Sequence, residues 1–228
     1  MTLHIGLLLF PNVQQLDLTG PYEVFASLPN VTVHLIWKTL DPVRASTGLT
    51  LTPDTDFQGC PALDVICIPG GKGVDELMED SQTLAFIRRQ AQNARFVTSV
   101  CTGALVLGAA GLLRGRRATT HWASHGLLEA LGAIPVQARV VRDGNLMTGG
   151  GITAGIDFAL TLAGELLGEL EAQATQLQLE YAPAPPFNSG HPETAPVEVV
   201  ALALERGAAL LAKRQQLVAR VAASMKSA

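Results

Sequence analysis

A thiol, a carboxyl group and two glycine-bearing turns are the parts of this chain whose types and spacing suggest chemistry. The thiol is Cys101, in "SVCTG". Small residues stand two positions to either side, Ser99 and Gly103. This is the spacing of a nucleophile elbow, where a sharp turn lifts the reactive side chain above the end of a strand. A helix starting just after Cys101 would point free N–H groups and its positive end at the sulfur. That setting predicts a thiol pKa lowered from about 8.5 toward 3.5–7.5. The alternative for any cysteine is a buried structural thiol. That is how Cys67, in mid-strand, and Cys60, in a loop, are read. The candidate acid/base groups are Asp17, in "QQLDLTGP", and His121, in "TTHWASH". Asp17 is the only carboxylate before Glu23, and by spacing alone it is equally a helix cap. His4, His34 and His191 have no evident partner. In "IPGG", Gly70 and Gly71 end a strand, and N–H groups exposed there can stabilise negative charge on a substrate. "TGGGITAG" (Thr148 to Gly155) lacks the lysine of a P-loop and the GxGxxG spacing. It is read as close packing that also forms a pocket wall, with Gly150 and Ile152 in it.

These groups need elements to hold them. "LHIGLLL", "VTVHLIW", "LDVICIPGG" and "RFVTSV" are short apolar runs that read as buried strands. Helices are predicted between them: "LDLTGPYEVFASL", capped at Thr19 or Gly20 with Pro21 in the first turn, and "SQTLAFIRRQAQNA", which is amphipathic. Uniformly apolar strands alternating with helices imply a mostly parallel central sheet covered by helices on both faces, an α/β class of flavodoxin-like type. "ASTGLTLTPDTDF" alternates and reads as a short hairpin or edge pieces. "RVVRDGNLMTGG" reads as a hairpin about Asp143-Gly144, and "TAGIDFALTLAGELLG" as a helix. "YAPAPPFNSGHPETAP" reads as a Pro-rich irregular arm, about 182–196, and a closing helix is expected from Val197 to Ala223. With no internal repeat and no interdomain linker, residues 1–228 are expected to form a single domain.

The charge-free run from Phe96 to Leu113 raises the question of a membrane span. Its first part is β-branched and its second is helix-like, and they meet at Cys101. A core strand running into a core helix explains it, so no membrane association is expected. A net charge of −4 gives no reason to expect nucleic acid. "RGRR" (Arg114 to Arg117) reads as a solvated turn. The N-terminus has no basic residue before its apolar run and no cleavage site, so a secretory leader is not expected. Three cysteines at irregular spacing suggest neither a disulfide framework nor a metal site. A reducing, cytoplasmic compartment follows as the default.

"LDLTGP", "IPGG", "SVCTGALVLGAAGLL", "RATTHWA" and "TGGGITAGIDFAL" together resemble the ThiJ/PfpI-like superfamily, built on the class I glutamine-amidotransferase fold. The resemblance covers almost the whole chain. "QQLDLTGP" with Asp17, the Cys101-Thr102 pair and the "YAPAPPF" arm point within it to the branch that hydrates isocyanides. What this implies is a cofactor-independent conversion of R–N≡C to the N-substituted formamide. Cys101 would form a covalent thioimidate and Asp17 would act as acid and base. The Thr102 hydroxyl would bond Asp17 or the sulfur, and Gly71 N–H would orient the intermediate. Ile152 would supply apolar wall. A homodimer is implied as well. Superfamily proteases and glyoxalases commonly carry His after the cysteine, or a Glu near it; here Thr102 and the shorter Asp17 stand in those places. Regulators that share the domain add a helix-turn-helix region at the C-terminus, for which one closing helix leaves no room. A redox sensor acting through an exposed, low-pKa Cys101, a ligand-binding domain, and a glyoxalase or deglycase remain as alternatives.

Overall fold

The computed structural model describes residues 2–227; the outermost ends of the expected domain, Met1 and Ala228, lie outside them. Eleven strands follow in chain order: β1 (Leu3–Leu8), β2 (Val31–Trp37), β3 (Val43–Arg44), β4 (Thr50–Leu51), β5 (Thr55–Asp56), β6 (Val65–Ile68), β7 (Phe96–Val100), β8 (Arg117–Ala118), β9 (Ile134–Pro135), β10 (Val140–Asp143) and β11 (Leu146–Gly149). The helices are α1 (Gln15–Ala26), α2 (Val74–Leu77), α3 (Ser81–Ala91), α4 (Gly103–Ala109), α5 (Ala154–Leu167), α6 (Glu169–Gln178) and α7 (Val197–Ser227). Seven strands make one sheet in the order β10-β11-β7-β6-β1-β2-β5. Every pairing in it is parallel except the β10–β11 hairpin. All residues of β6 and β7 are buried, as expected of strands covered on both faces. The alternating "ASTGLTLTPDTDF" stretch holds β4, which pairs antiparallel with β3 just before it, and the edge strand β5.

Strand order reverses at β1, which has β2 on one side and β6 on the other. In open α/β sheets the crevice outside the carboxyl ends of the strands at such a point is where ligands bind. The segments leaving β1, β6 and β7 carry Asp17, Gly70-Gly71 and Cys101 respectively, so these groups arrive at one edge of the sheet. Helix α1 starts at Gln15, about five residues earlier than a Thr19 cap requires, and Pro21 lies inside it. Gly20 and Pro21 sit where α5 crosses: a Cβ on Gly20 would stand 3.2 Å from Ile156 Cγ1, and one on Gly155 3.1 Å from the Pro21 ring. Close helix packing, rather than capping, accounts for this "TGP". Beneath it, Phe25 and Phe158 meet edge to face at 6.1 Å, and burial of each stabilises the fold by about 2–3 kcal/mol.

The arm from 182 to 196 has no regular secondary structure, and α7 runs from Val197 to Ser227, past the expected end at Ala223. No helix among the described residues is long and apolar enough to cross a membrane.

The contact between β6 and α4 leaves no room for a side chain. A Cβ on Gly103 would lie 1.9 Å from the Ile68 carbonyl oxygen, whereas one on Gly207, in α7, would meet nothing within 4 Å. Gly103→Ala is expected to destabilise the protein by about 3 kcal/mol, and Gly207→Ala to stabilise it by up to about 1 kcal/mol. Urea unfolding midpoints of the two variants check both signs.

Candidate active site

Cys101 stands between β7 and α4 with a φ of 56°. A side-chain-bearing residue in the left-handed region is held there by its surroundings. The Cys101 N–H donates to the carbonyls of Gly149 and Gly150, at 3.0 and 2.8 Å, and the Thr120 hydroxyl donates to the Cys101 carbonyl at 2.7 Å. The elbow is therefore pinned from the β11–α5 turn on one side and from the segment after β8 on the other.

Asp17 is wholly buried in the first turn of α1 and makes no capping bond. Its Oδ2 accepts the Gly70 N–H at 3.0 Å. Oδ1 is buried without a hydrogen bond of good geometry; the Cys101 thiol is the polar neighbour that affects its ionisation. Burial raises the Asp17 pKa from 3.8 to about 7, against the opposing influence of the thiol and the Gly70 N–H.

The expected low-pKa thiol is not what the structure holds. Cys101 is only 5% exposed, and its pKa is raised, first by burial and then by the Asp17 charge. Two backbone N–H groups act the other way on the sulfur, those of Ile152 and Thr102. The helix end does supply donors, but desolvation and a neighbouring carboxylate outweigh them. Cys67 lies in β6, and burial pushes its thiol to about 12; that of Cys60 is pushed to about 11. Both match structural cysteines.

The glycine turns are used differently from the expectation. Gly70 N–H is taken by Asp17, and Gly71 N–H donates to Thr102 Oγ1 at 3.1 Å. Neither points at open space for a substrate, and Thr102 Oγ1 bonds to Gly71 rather than to Asp17 or the sulfur. A Cβ on Gly70 would fall within 2.7 Å of both Asp17 Oδ2 and Thr102 Oγ1, so only glycine lets these groups converge. Ile152 and Gly150 do line a cavity of about 730 Å³, together with His121, Trp122, Arg139 and Phe187 of the Pro-rich arm. The Ile152 N–H also acts to lower the Cys101 pKa, an influence that a side-chain reading of the sequence misses.

His121 accepts the Ala123 N–H at Nδ1, 3.3 Å. Its pKa is lowered by burial and then by the Arg214 charge, both of which favour the neutral ring. Among the described residues it makes no hydrogen bond to Cys101 or Asp17. His4 and His34, without evident partners in sequence, bond to each other ring to ring at 3.0 Å. Among the described residues no cluster of three or more His, Cys, Asp or Glu could hold a metal ion.

A mostly parallel sheet with a cysteine elbow at its carboxyl edge and a buried carboxyl beside it defines the class. Residues 4–165 match the model of the DJ-1/PfpI family, and the chain belongs to that family. It is 69% identical to an isonitrile hydratase of Pseudomonas putida over 99% of both chains. It is 31% identical to the HTH-type transcriptional regulator GbdR of Pseudomonas aeruginosa over 76% of this chain, which spans only 49% of that protein. The structure superposes on a ThiJ/PfpI family protein from Pseudomonas syringae with a TM-score of 0.93 and 42% identity, covering 96% of this chain and 91% of that one.

The raised Asp17 pKa has a consequence for stability. The native state keeps a proton that the unfolded chain releases above its own pKa of 3.8. Stability is therefore lost as pH rises from about 4 through about 7, by up to roughly 4 kcal/mol, and is level above that. Asp17→Asn removes this slope. The variant is expected to gain stability relative to the parent between pH 4 and pH 8, whereas loss of a helix cap would cost stability at every pH. Denaturant unfolding of both proteins across that range decides between them.

Proposed function

We propose that this protein adds water to an isocyanide and releases the N-substituted formamide. The similarity to the Pseudomonas putida hydratase over nearly the whole of both chains supports the reaction. One observation of the site carries the chemistry: a buried thiol stands beside a buried carboxyl that titrates near pH 7. Such a carboxyl can both take and give a proton at neutral pH.

Ionised Asp17 takes the Cys101 proton as the sulfur attacks the terminal carbon of R–N≡C. The N–H groups of Ile152 and Thr102 receive the charge on sulfur. Asp17 passes its proton to that same carbon, closing a thioimidate, R–N=CH–S–Cys101. Asp17, ionised again, takes a proton from water as the water oxygen bonds to the carbon, and returns a proton to nitrogen. The C–S bond then breaks, sulfur recovers the last proton, and R–NH–CHO leaves. Gly70 positions Asp17, Gly71 positions Thr102, and Gly150 and Ile152 wall the approach. No step calls for a metal or a redox cofactor.

Burial of the thiol and its raised pKa favour this reading over a redox sensor, which needs an exposed thiolate. The finer expectations are part of the same proposal: residues 1–228 as one domain, two copies assembled into a homodimer, and a cytoplasmic setting. Exposed Phe187, Val197, Leu202 and Leu204 supply apolar surface suited to a second copy.

Incubation with a simple aliphatic isocyanide should yield formamide by mass spectrometry or NMR. Cys101→Ala should abolish it with the fold intact by circular dichroism. Asp17→Asn should lose 10²-fold or more of the turnover, and normal turnover in that variant would remove Asp17 from the mechanism. Failure of the native protein to make formamide would overturn the proposal.

A further inference from the structure

We infer that Arg214, on the closing helix α7, is a positioning residue that clamps the Gly70-Gly71 turn against Asp17 and Thr102. The inference rests on the hydratase mechanism for its kinetic consequences, though not for its geometry. Arg214 is 4% exposed. Its Nε donates to Asp75 Oδ1 at 2.6 Å, and its Nη2 donates to the Gly71 carbonyl at 3.1 Å. Residues 71 and 75 are separated from it by more than half of the chain. One planar guanidinium thus ties the end of β6, the start of α2 and the middle of α7 together.

The turn it holds is the one that orients the proposed machinery. Gly70 N–H reaches Asp17, and Gly71 N–H reaches Thr102, the neighbour of the nucleophile. Gly71 has a φ of +137°, and a Cβ there would lie 2.4 Å from Gln14 N and 2.5 Å from the Asn12 carbonyl oxygen. The Gly71 carbonyl points inward to Arg214, and the N–H groups point to the site. Swinging the peptide that follows Gly71 would disturb the conformation on which both N–H bonds depend. Arg214 also lowers the His121 pKa by its charge, which places the guanidinium near the site's other flank.

Buried charges are costly, and a buried pair is often no better for stability than apolar side chains of the same volume. Here Asp75 Oδ2 is buried with no hydrogen bond at all, so the pair is not optimised for stability. The fork geometry of arginine, which spans a carboxylate and a carbonyl at once, is what a lysine cannot reproduce. The side chain therefore serves the position of the turn.

The titratable groups that couple to Asp17 are the thiols of Cys101 and Cys67. The Gly70 N–H is the donor that favours the Asp17 carboxylate. Loosening the clamp weakens that bond and moves the Asp17 titration to higher pH. Two variants test this. Arg214→Lys keeps a cation for Asp75 and gives up the second donor direction. The double variant Arg214→Met with Asp75→Leu replaces the pair by apolar volume, guarding against simple loss of folding. Asp17 ionisation is read directly, as the carboxyl band in infrared difference spectra that disappears in Asp17→Asn. Turnover of an aliphatic isocyanide is read in parallel. In both variants the Asp17 titration, and with it the acidic limb of kcat, is expected to move up by about half a pH unit or more. A fall in kcat of about tenfold to 10²-fold should accompany it, with KM little changed. Folded variants whose Asp17 titration matches the parent overturn the clamp, whatever their turnover. A titration shifted in the variants, with a parent that makes no formamide, would instead uphold the clamp and remove the hydratase proposal.

Discussion

Two buried acids side by side, the carboxyl of Asp17 and the thiol of Cys101, can carry one negative charge between them but not two. Desolvation raises both pKa values, and the charge of one disfavours ionisation of the other. In the proposed mechanism a single charge moves between them, and the surrounding donors suit it. One donor, Gly70 N–H, faces the carboxyl, and two, the N–H groups of Ile152 and Thr102, act on the sulfur. The charge finds hydrogen bonds at either end of its path, and no bulk water is needed to solvate it in passage.

The sheet brings this about through its switch in strand order. Asp17, Gly70 and Cys101 follow three strands that are neighbours in space, β1, β6 and β7. Their convergence needs close backbone approach: Gly103 against the Ile68 carbonyl, and Gly70 against Thr102 and Asp17. It also needs the φ of 56° at Cys101, fixed by three hydrogen bonds to that residue's own backbone. The packed core beneath pays for this strained edge, since β6 and β7 are buried throughout.

Much of this was legible from local pattern. The apolar runs became parallel strands because no Asp, Glu, Lys or Arg interrupts them. The elbow was marked by Ser99 and Gly103, and the hairpin by Asp143-Gly144. Properties set by distant packing were not legible. "TGP" looks like a helix start, yet α1 begins at Gln15 because Gly20 and Pro21 are needed where α5 crosses. The dipole argument for a low Cys101 pKa is sound locally, but burial and Asp17 reverse it, and neither can be read from "SVCTG". The N–H groups of "IPGG" were expected to face a ligand; their partners, Asp17 and Thr102, come from other elements. Arg214 reads as one more charge in a helix, because Asp75 lies 139 residues away.

A site that tolerates one charge also limits what it can act on. An anionic electrophile would put a second negative charge beside Asp17, in surroundings that already raise its pKa to about 7. A neutral, linear group such as an isocyanide adds none. In the proposed mechanism it accepts the sulfur and the proton at the same carbon, so the charge created in one half-step is removed in the next, within reach of the same carboxyl. Peroxide sensing makes the opposite demand, a standing thiolate open to solvent, and Cys101 at 5% exposure with a raised pKa is poorly placed for it. The burial that makes the pair costly to ionise thus also fits it to add a thiol and a proton to one carbon of an uncharged substrate.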